Sequence, residues 1–461
     1  MNLVLLATTL LTAAHAQASA AVLTPCKITG LERPARCGTI TVPETRGTSD
    51  GRSIALRTIV VPAVKRVHDD PIVFVAGGPG QGAAELAGFV VQLLQGLDEG
   101  RDVVLVDQRG TGGSNPLTCA GGFDLISLSR RKDLVACAED LRRRVNLNAY
   151  GTDDAVQDLE HVRAVLGYER IDLVAASYGT RPALEYMRRH PDRVNTAILR
   201  AIAPPGFNII AEGSINAEAA LLRVLDDCRL DPACAAAAGD VHAHLRAVRD
   251  KVAATPAGVT TPLPNGKVVV LTDSLVAQVL YALLLNADTR QQLPLLLKRA
   301  ATEGLAIFAP LASTIAEQIY GGVSFGMYMS VVCREDAPRT TERQRRQMLS
   351  VADSGAMLLE ACALWPVSPQ PAPPPLASDV PTLLLSGVVD PATPASTGDE
   401  AARHSLRARH VILPATAHMP MFPACGIGSL REFLTTRAPE GVNLSCAGDA
   451  KLKPFVPAGV R

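Results

Sequence analysis

Short apolar runs, each closed by a turn, recur along this chain. Ile72–Ala76 runs into Gly77-Gly78-Pro79-Gly80, and Val103–Val106 into Asp107-Gln108-Arg109-Gly110. Ile171–Ala175 leads to Ser177-Tyr178-Gly179, and Thr196–Leu199 to a Pro204-Pro205 break. Such runs predict strands buried on both faces, as in a parallel sheet. Residues 54–62 alternate in part and read as a further strand. Helical spacing lies between the runs. Thr152 is placed to N-cap a helix led by Asp153 and Asp154, with Ala155, Leu159, Val162 and Leu166 on one face and Gly167 at its end. A second helix follows Gly179 and stops before Pro191. The alternation predicts a doubly wound, mostly parallel α/β sheet.

The texture changes after residue 205. Ala/Leu-rich helical patterns fill 212–230, 241–254, 274–286 and 290–302, and six prolines between Pro366 and Pro375 mark a stiff, extended connector. Thr382–Leu385 and Val411–Leu413 then resume the buried-strand pattern. The expected organisation is one sheet interrupted by a helical cap: core 26–205, cap and connector 206–375, core again 376–446, and a tail 447–461.

The first twenty residues read as a signal peptide. Leu3–Ala14 is apolar but too short for a membrane span, and Ala14-His15-Ala16 and Ala18-Ser19-Ala20 both suit signal cleavage, although no Lys or Arg precedes the run. The segment nearest to a later span, Leu275–Leu285, is broken by Gln278. Ten cysteines follow the leader and fall into neighbour pairs, Cys26/Cys37, Cys119/Cys137, Cys228/Cys234, Cys333/Cys362 and Cys425/Cys446, with no CxxC motif. With a leader, disulfides and export to the periplasm or the extracellular space are expected, although the sequence alone does not fix which cysteines pair. Hydrophobic residues make up 48% of the chain, enough for a large core, and 45 basic residues balance 45 acidic ones. Nothing in that balance calls for nucleic acid or an anionic membrane as partner.

Ala175-Ala176-Ser177-Tyr178-Gly179 stands where a strand meets a helix. A sharp turn there pushes a serine hydroxyl out at the sheet's carboxyl edge, and small residues two positions either side let the turn pack closely. The same serine could simply cap the helix. As a nucleophile it needs a base, and the base an orienting acid, in the order Ser, Asp, His. Asp390 follows the run Leu383–Gly387, although an aspartate before proline also suits an ordinary turn. His418 follows the next strand, 28 residues on, among small residues, whereas His404 and His410 precede that strand. His242 and His244 have no third ligand at metal-binding spacing and read as a solvated helix face, so no metal or cofactor is expected. The Gly77–Gly80 loop is placed to give one oxyanion donor, the Gly78 N–H, with the Tyr178 N–H as the other. The loop 107–114 lacks the phosphate-binding order and reads as structural, with Arg109 making structural hydrogen bonds.

Taken together, AGGPGQG (76–82), VDQRGTGGSNPLTC (106–119), YGTDDAVQDLEHVR (150–163), ASYGTRPALEY (176–186), DCRLDPAC (227–234), VVCREDAP (331–338), CALWP (362–366) and SGVVDPATP (386–394) resemble the α/β-hydrolase superfamily. More narrowly, the chain is similar to the tripeptidyl and prolyl aminopeptidase branch, over roughly residues 26–446. It departs from that branch at Ala76 and Ala175. The resemblance implies a serine hydrolase that trims peptides with a free N-terminus beneath a helical cap, with Ser177 as nucleophile, Asp390 as orienting acid and His418 as base. A free ammonium needs a carboxylate partner, for which Glu335 and Asp336 are candidates; a solvated pair on the cap surface, or a helix N-cap, is the competing reading. A carboxylesterase or lipase would use the same three residues, and a non-catalytic binder could share the fold.

Overall fold

The computed structural model describes residues 23–48, 51–120, 128, 130–315, 322–348, 355–374, 377–418 and 422–455. The expected leader lies outside them, as does the end of the tail. The chain opens with β1 (Thr24–Ile28), β2 (Leu31–Pro43), β3 (Ser53–Val61) and β4 (Ile72–Val75), then α1 (Ala87–Leu94) and β5 (Val103–Val106). Helices α2 (Arg131–Arg144) and α3 (Thr152–Val165) lead to β6 (Ile171–Ala176), α4 (Thr180–Arg189) and β7 (Val194–Arg200).

The chain then leaves the sheet for α5 (Ala211–Leu230), α6 (Pro232–Ala238), α7 (Val241–Ala253), a hairpin of β8 (Val259–Pro262) and β9 (Val268–Leu271), and α8 (Asp273–Leu284). Next come α9 (Leu293–Glu303), α10 (Ala309–Ile315), α11 (Phe325–Val331), a π-turn over Val332–Asp336, α12 (Glu342–Gln347) and α13 (Gly355–Cys362). The sheet resumes with β10 (Thr382–Gly387), α14 (Ala395–Arg403), β11 (Ala408–Leu413) and α15 (Ile427–Thr436).

Nine strands pair in the order β1-β2-β3-β5-β4-β6-β7-β10-β11, parallel from β5 to β11 and antiparallel before. Strand side chains alternate between faces, which explains why the central runs lack polar alternation. Val73, Val104 and Leu173 enter one core with residues of α2 to α4, while Ile72, Val103 and Val174 enter a second with α1 and α15. Both faces are therefore dry. Each fully buried Val or Leu contributes about 1.5–3 kcal/mol.

Two sequence expectations shift. β11 starts at Ala408, so His410 lies within the strand, paired with Leu384. Thr152 does not cap α3 but is its first residue, after Gly151. Its hydroxyl is engaged elsewhere, and the Glu335 carboxylate accepts the Thr152 N–H at 2.7 Å instead. A carboxylate there suits the helix dipole.

The ten cysteines form five disulfides between sequence neighbours: Cys26–Cys37, Cys119–Cys137, Cys228–Cys234, Cys333–Cys362 and Cys425–Cys446. Bonds of this kind typically stabilise by about 2–4 kcal/mol each. They point to an oxidising, exported environment. No helix of the described residues is long and apolar enough to cross a membrane.

Candidate active site

Four connections at the carboxyl edge of the parallel strands build the site. Ser177 follows β6 directly and has φ of 55°, a left-handed conformation that costs a non-glycine residue about 1–3 kcal/mol. Gly179 makes that turn possible: a Cβ there would stand 2.3 Å from the Val75 carbonyl oxygen, so only glycine lets the elbow pack on the end of β4. Thr180 braces the turn, donating its hydroxyl to the Ser177 carbonyl at 2.7 Å and accepting the Ala203 N–H at 2.8 Å. The serine is left half-buried, with its side chain at the rim.

The structure brings Ser177, His418 and Asp390 together. His418 Nε2 lies 2.9 Å from Ser177 Oγ, and Nδ1 lies 3.0 Å from both Asp390 oxygens. Asp390 is held by its own loop, accepting N–H bonds from Ala392 (2.8 Å) and Thr393 (2.9 Å) and the Thr393 hydroxyl at 2.9 Å. Thr393 Oγ1 also lies 3.3 Å from His418 Nδ1. The sequence reading missed Thr393; the signal was a hydroxyl three residues past a candidate acid, placed to close an Asx-type turn. With Nδ1–H donated to the carboxylate, Nε2 is free to accept the serine proton, and the ring can carry the positive charge that results.

The Gly77–Gly80 loop packs against the elbow, with the place where Gly77 would bear a Cβ only 3.0 Å from Ser177 Cβ. Gly77, which precedes Gly78, therefore lies against Ser177, and Tyr178 follows Ser177 in the chain. The buried Asp107 carboxylate holds the chain beyond this loop, accepting the Ala84 N–H at 2.7 Å and the Gly113 N–H at 2.9 Å. Burial pushes its carboxyl above the usual range, and these N–H bonds oppose the shift. Arg109 is fully buried and structural, bonding both Asp158 oxygens at 2.7 Å and the carbonyls of Glu44 and Ala149 at 2.7 Å. Two residues of the stretch between β7 and β10 hold the site from either side. The Ser324 N–H donates to the Gly80 carbonyl at 2.8 Å, and the His418 N–H to the Leu285 carbonyl at 3.2 Å.

Glu335 and Asp336 form no hydrogen bond with these three side chains among the described residues. Both are buried on the π-turn, where Arg181 pairs with each at 3.2 Å and Arg339 pairs with Asp336 at 2.7 Å. Glu335 also accepts the Thr152 hydroxyl at 2.8 Å, and that hydroxyl lies 2.9 Å from the Tyr178 phenol. Glu335 thus reaches the residue after the nucleophile through one side chain. Burial pushes its carboxyl above the usual range, against the pull of Arg181. It lines a cavity of about 190 Å³ with Asp153, Glu185 and Arg189, a cavity that Asp336 does not line. The two carboxylates and two guanidiniums balance in charge, so their joint effect is to clamp the π-turn onto α3 and α4. On α7 the half-buried His242 has its Nε2 3.1 Å from Asp226 Oδ1, and no group of side chains suited to a metal occurs among the described residues.

Comparison with known proteins gives two family matches: residues 70–225 match the family described as "alpha/beta hydrolase fold", and residues 349–446 the family described as "TAP-like protein". The chain is similar to serine protease Hip1 of Mycobacterium tuberculosis, 26% identical over 89% of this chain and 87% of that protein. It is also similar to proline iminopeptidase of Neisseria gonorrhoeae, 35% identical over 29% of this chain and 32% of that protein. Among solved structures it resembles proline iminopeptidase of Mycobacterium smegmatis, with 15% identity, a TM-score of 0.44, and coverage of 87% of this chain and 98% of that one.

Proposed function

From the premise that this chain is an α/β-hydrolase-fold enzyme of the peptidase type, we propose that it is an exported aminopeptidase acting through an acyl-enzyme on Ser177. The observation that carries the proposal is the hydrogen-bonded series Ser177 Oγ, His418 Nε2, His418 Nδ1 and Asp390, with the serine on a left-handed turn. In this reading His418 takes the serine proton as Oγ attacks the scissile carbonyl. The N–H groups of Gly78 and Tyr178 receive the oxyanion, a contribution of about 3–4 kcal/mol per donor. His418 then protonates the departing amine, and water releases the acyl group by the reverse sequence. Export rests on the five disulfides and the leader-like first twenty residues, in either the periplasm or the extracellular space.

Glu335 is the acid we assign to the substrate's ammonium, because it lines an open cavity and is linked to Tyr178 through Thr152. Asp336 is fully buried and engaged by two arginines. The test compares a peptidyl arylamide with a free amine and its N-acetylated form. Cleavage of the free amine alone is expected. Equal cleavage of both forms would remove the exopeptidase assignment, and simple acyl esters turned over far faster than either would make the enzyme an esterase.

A further inference from the structure

The sheet edge that carries Asp390 also holds a second hydrogen-bonded series of serine, histidine and aspartate. Ser386 Oγ lies 2.9 Å from His410 Nε2, and His410 Nδ1 lies 2.8 Å from Asp399 Oδ1. Ser386 belongs to β10, His410 to β11 and Asp399 to α14. This series is not built for attack on a substrate. Ser386 is fully buried within a strand and has no left-handed turn. Gly398 of α14 seals it, since a Cβ there would stand 2.9 Å from Ser386 Oγ and 2.4 Å from His410 Nε2.

What the series spans is the machinery next to it. β10 ends three residues before Asp390, α14 begins just after the Asp390 loop, and β11 leads to His418. One imidazole joins all three elements, and one neutral tautomer serves both ends: Nδ1–H donates to Asp399 and Nε2 accepts from the Ser386 hydroxyl. Thr397, on the same turn of α14, donates its hydroxyl to the Ile202 carbonyl at 2.6 Å, tying that turn to the segment after β7 as well.

We propose that Ser386, His410 and Asp399 are positioning residues that hold α14 against the β10–β11 edge and so fix Asp390 relative to His418. The proposal rests on the reading that Asp390 orients His418. A displacement of about 1 Å at a reacting centre can cost about a hundredfold in rate. A partial loosening of α14 should cost less.

The experiment follows fluorophosphonate labelling of Ser177 in the full mature protein, resolved into a maximal rate and a half-saturating concentration. Labelling of the wild type, and its loss in Ser177→Ala, test the triad separately. His410→Phe keeps the ring volume and removes both hydrogen bonds. It should lower the maximal rate about tenfold and leave half-saturation unchanged. Asp399→Asn keeps an acceptor for Nδ1–H and should stay within about twofold of wild type. If His410→Phe does not fold, Ser386→Ala, which deletes one oxygen, should lower the maximal rate about threefold. A maximal rate equal to wild type in the folded variant, well below its melting midpoint, would overturn the proposal even if the midpoint fell.

Discussion

The series through Ser177, His418 and Asp390 and the series through Ser386, His410 and Asp399 share residue types, order and distances of 2.8–3.0 Å. They differ in backbone and in access to water. Ser177 stands on a strained turn at the rim with Gly77 and Tyr178 beside it, whereas Ser386 sits inside a strand under Gly398. Asp390 is buried and accepts three bonds from its own loop, whereas the Asp399 side chain is 57% exposed. Water screens the second acid, so its pairing with histidine is worth little beyond geometry. Three matching side chains therefore do not make a nucleophile. The turn that presents the oxygen and the donors that receive the oxyanion decide which series can react.

The sharpest way to break this contrast is to delete each serine oxygen. Ser177→Ala should abolish fluorophosphonate labelling and lower peptide hydrolysis at least about a thousandfold. Ser386→Ala should still be labelled, at position 177. A mass-spectrometric adduct on Ser386 in either protein would end the distinction.

The acids give the next largest difference. Asp390→Asn removes the charge that stabilises the imidazolium and should cost about a thousandfold in kcat. Asp399→Asn should leave kcat within about twofold, because an exposed charge contributes little. Comparable losses in the two variants would mean that the second series carries charge to the site and does more than hold geometry. Thr393→Val comes next. Losing its hydroxyl bond to Asp390 costs about 1 kcal/mol, or roughly a fivefold fall in kcat, with KM unchanged.

The sequence showed one of these two series and hid the other, for physical reasons. Ser177 lies in a short local pattern between an apolar run and a helix, and Asp390 and His418 each follow an apolar run in the chain order that the resemblance to α/β-hydrolases implies. Ten cysteines leave the disulfide connectivity open in the sequence, and the structure selects the pairing between chain neighbours. The second series depends on how α14 packs over two strands, and Gly398 looks like any helical glycine until His410 is seen beneath it. The start of β11 is hidden in the sequence because Arg409 and His410 are polar, yet their backbones pair with β10. Thr152 looks like a cap in the sequence because the acid that accepts its N–H, Glu335, lies 183 residues away.

A third acid sharpens the comparison with the smallest expected effect. Glu335, like Asp390, is buried, but its partners are Arg181 and the start of α3 rather than a histidine. Its carboxyl titrates above the ordinary value because burial outweighs Arg181. Such an acid binds its proton more tightly in the folded protein than in the unfolded chain. Folding stability should therefore fall as pH rises from the ordinary glutamate value through the raised one, and level off above it. Glu335→Gln cannot titrate, so its melting midpoint should lose less across that window than the wild type does. The same variant should raise KM for the free-amine arylamide several-fold and leave fluorophosphonate labelling within about twofold, because an ammonium loses one charge-assisted bond while the nucleophile loses none. A fall in labelling as large as the change in KM would instead show that the Thr152–Tyr178 link carries Glu335's influence to the elbow. The acid would then belong with Ser386, His410 and Asp399, among the side chains that set the geometry of the site without touching the substrate.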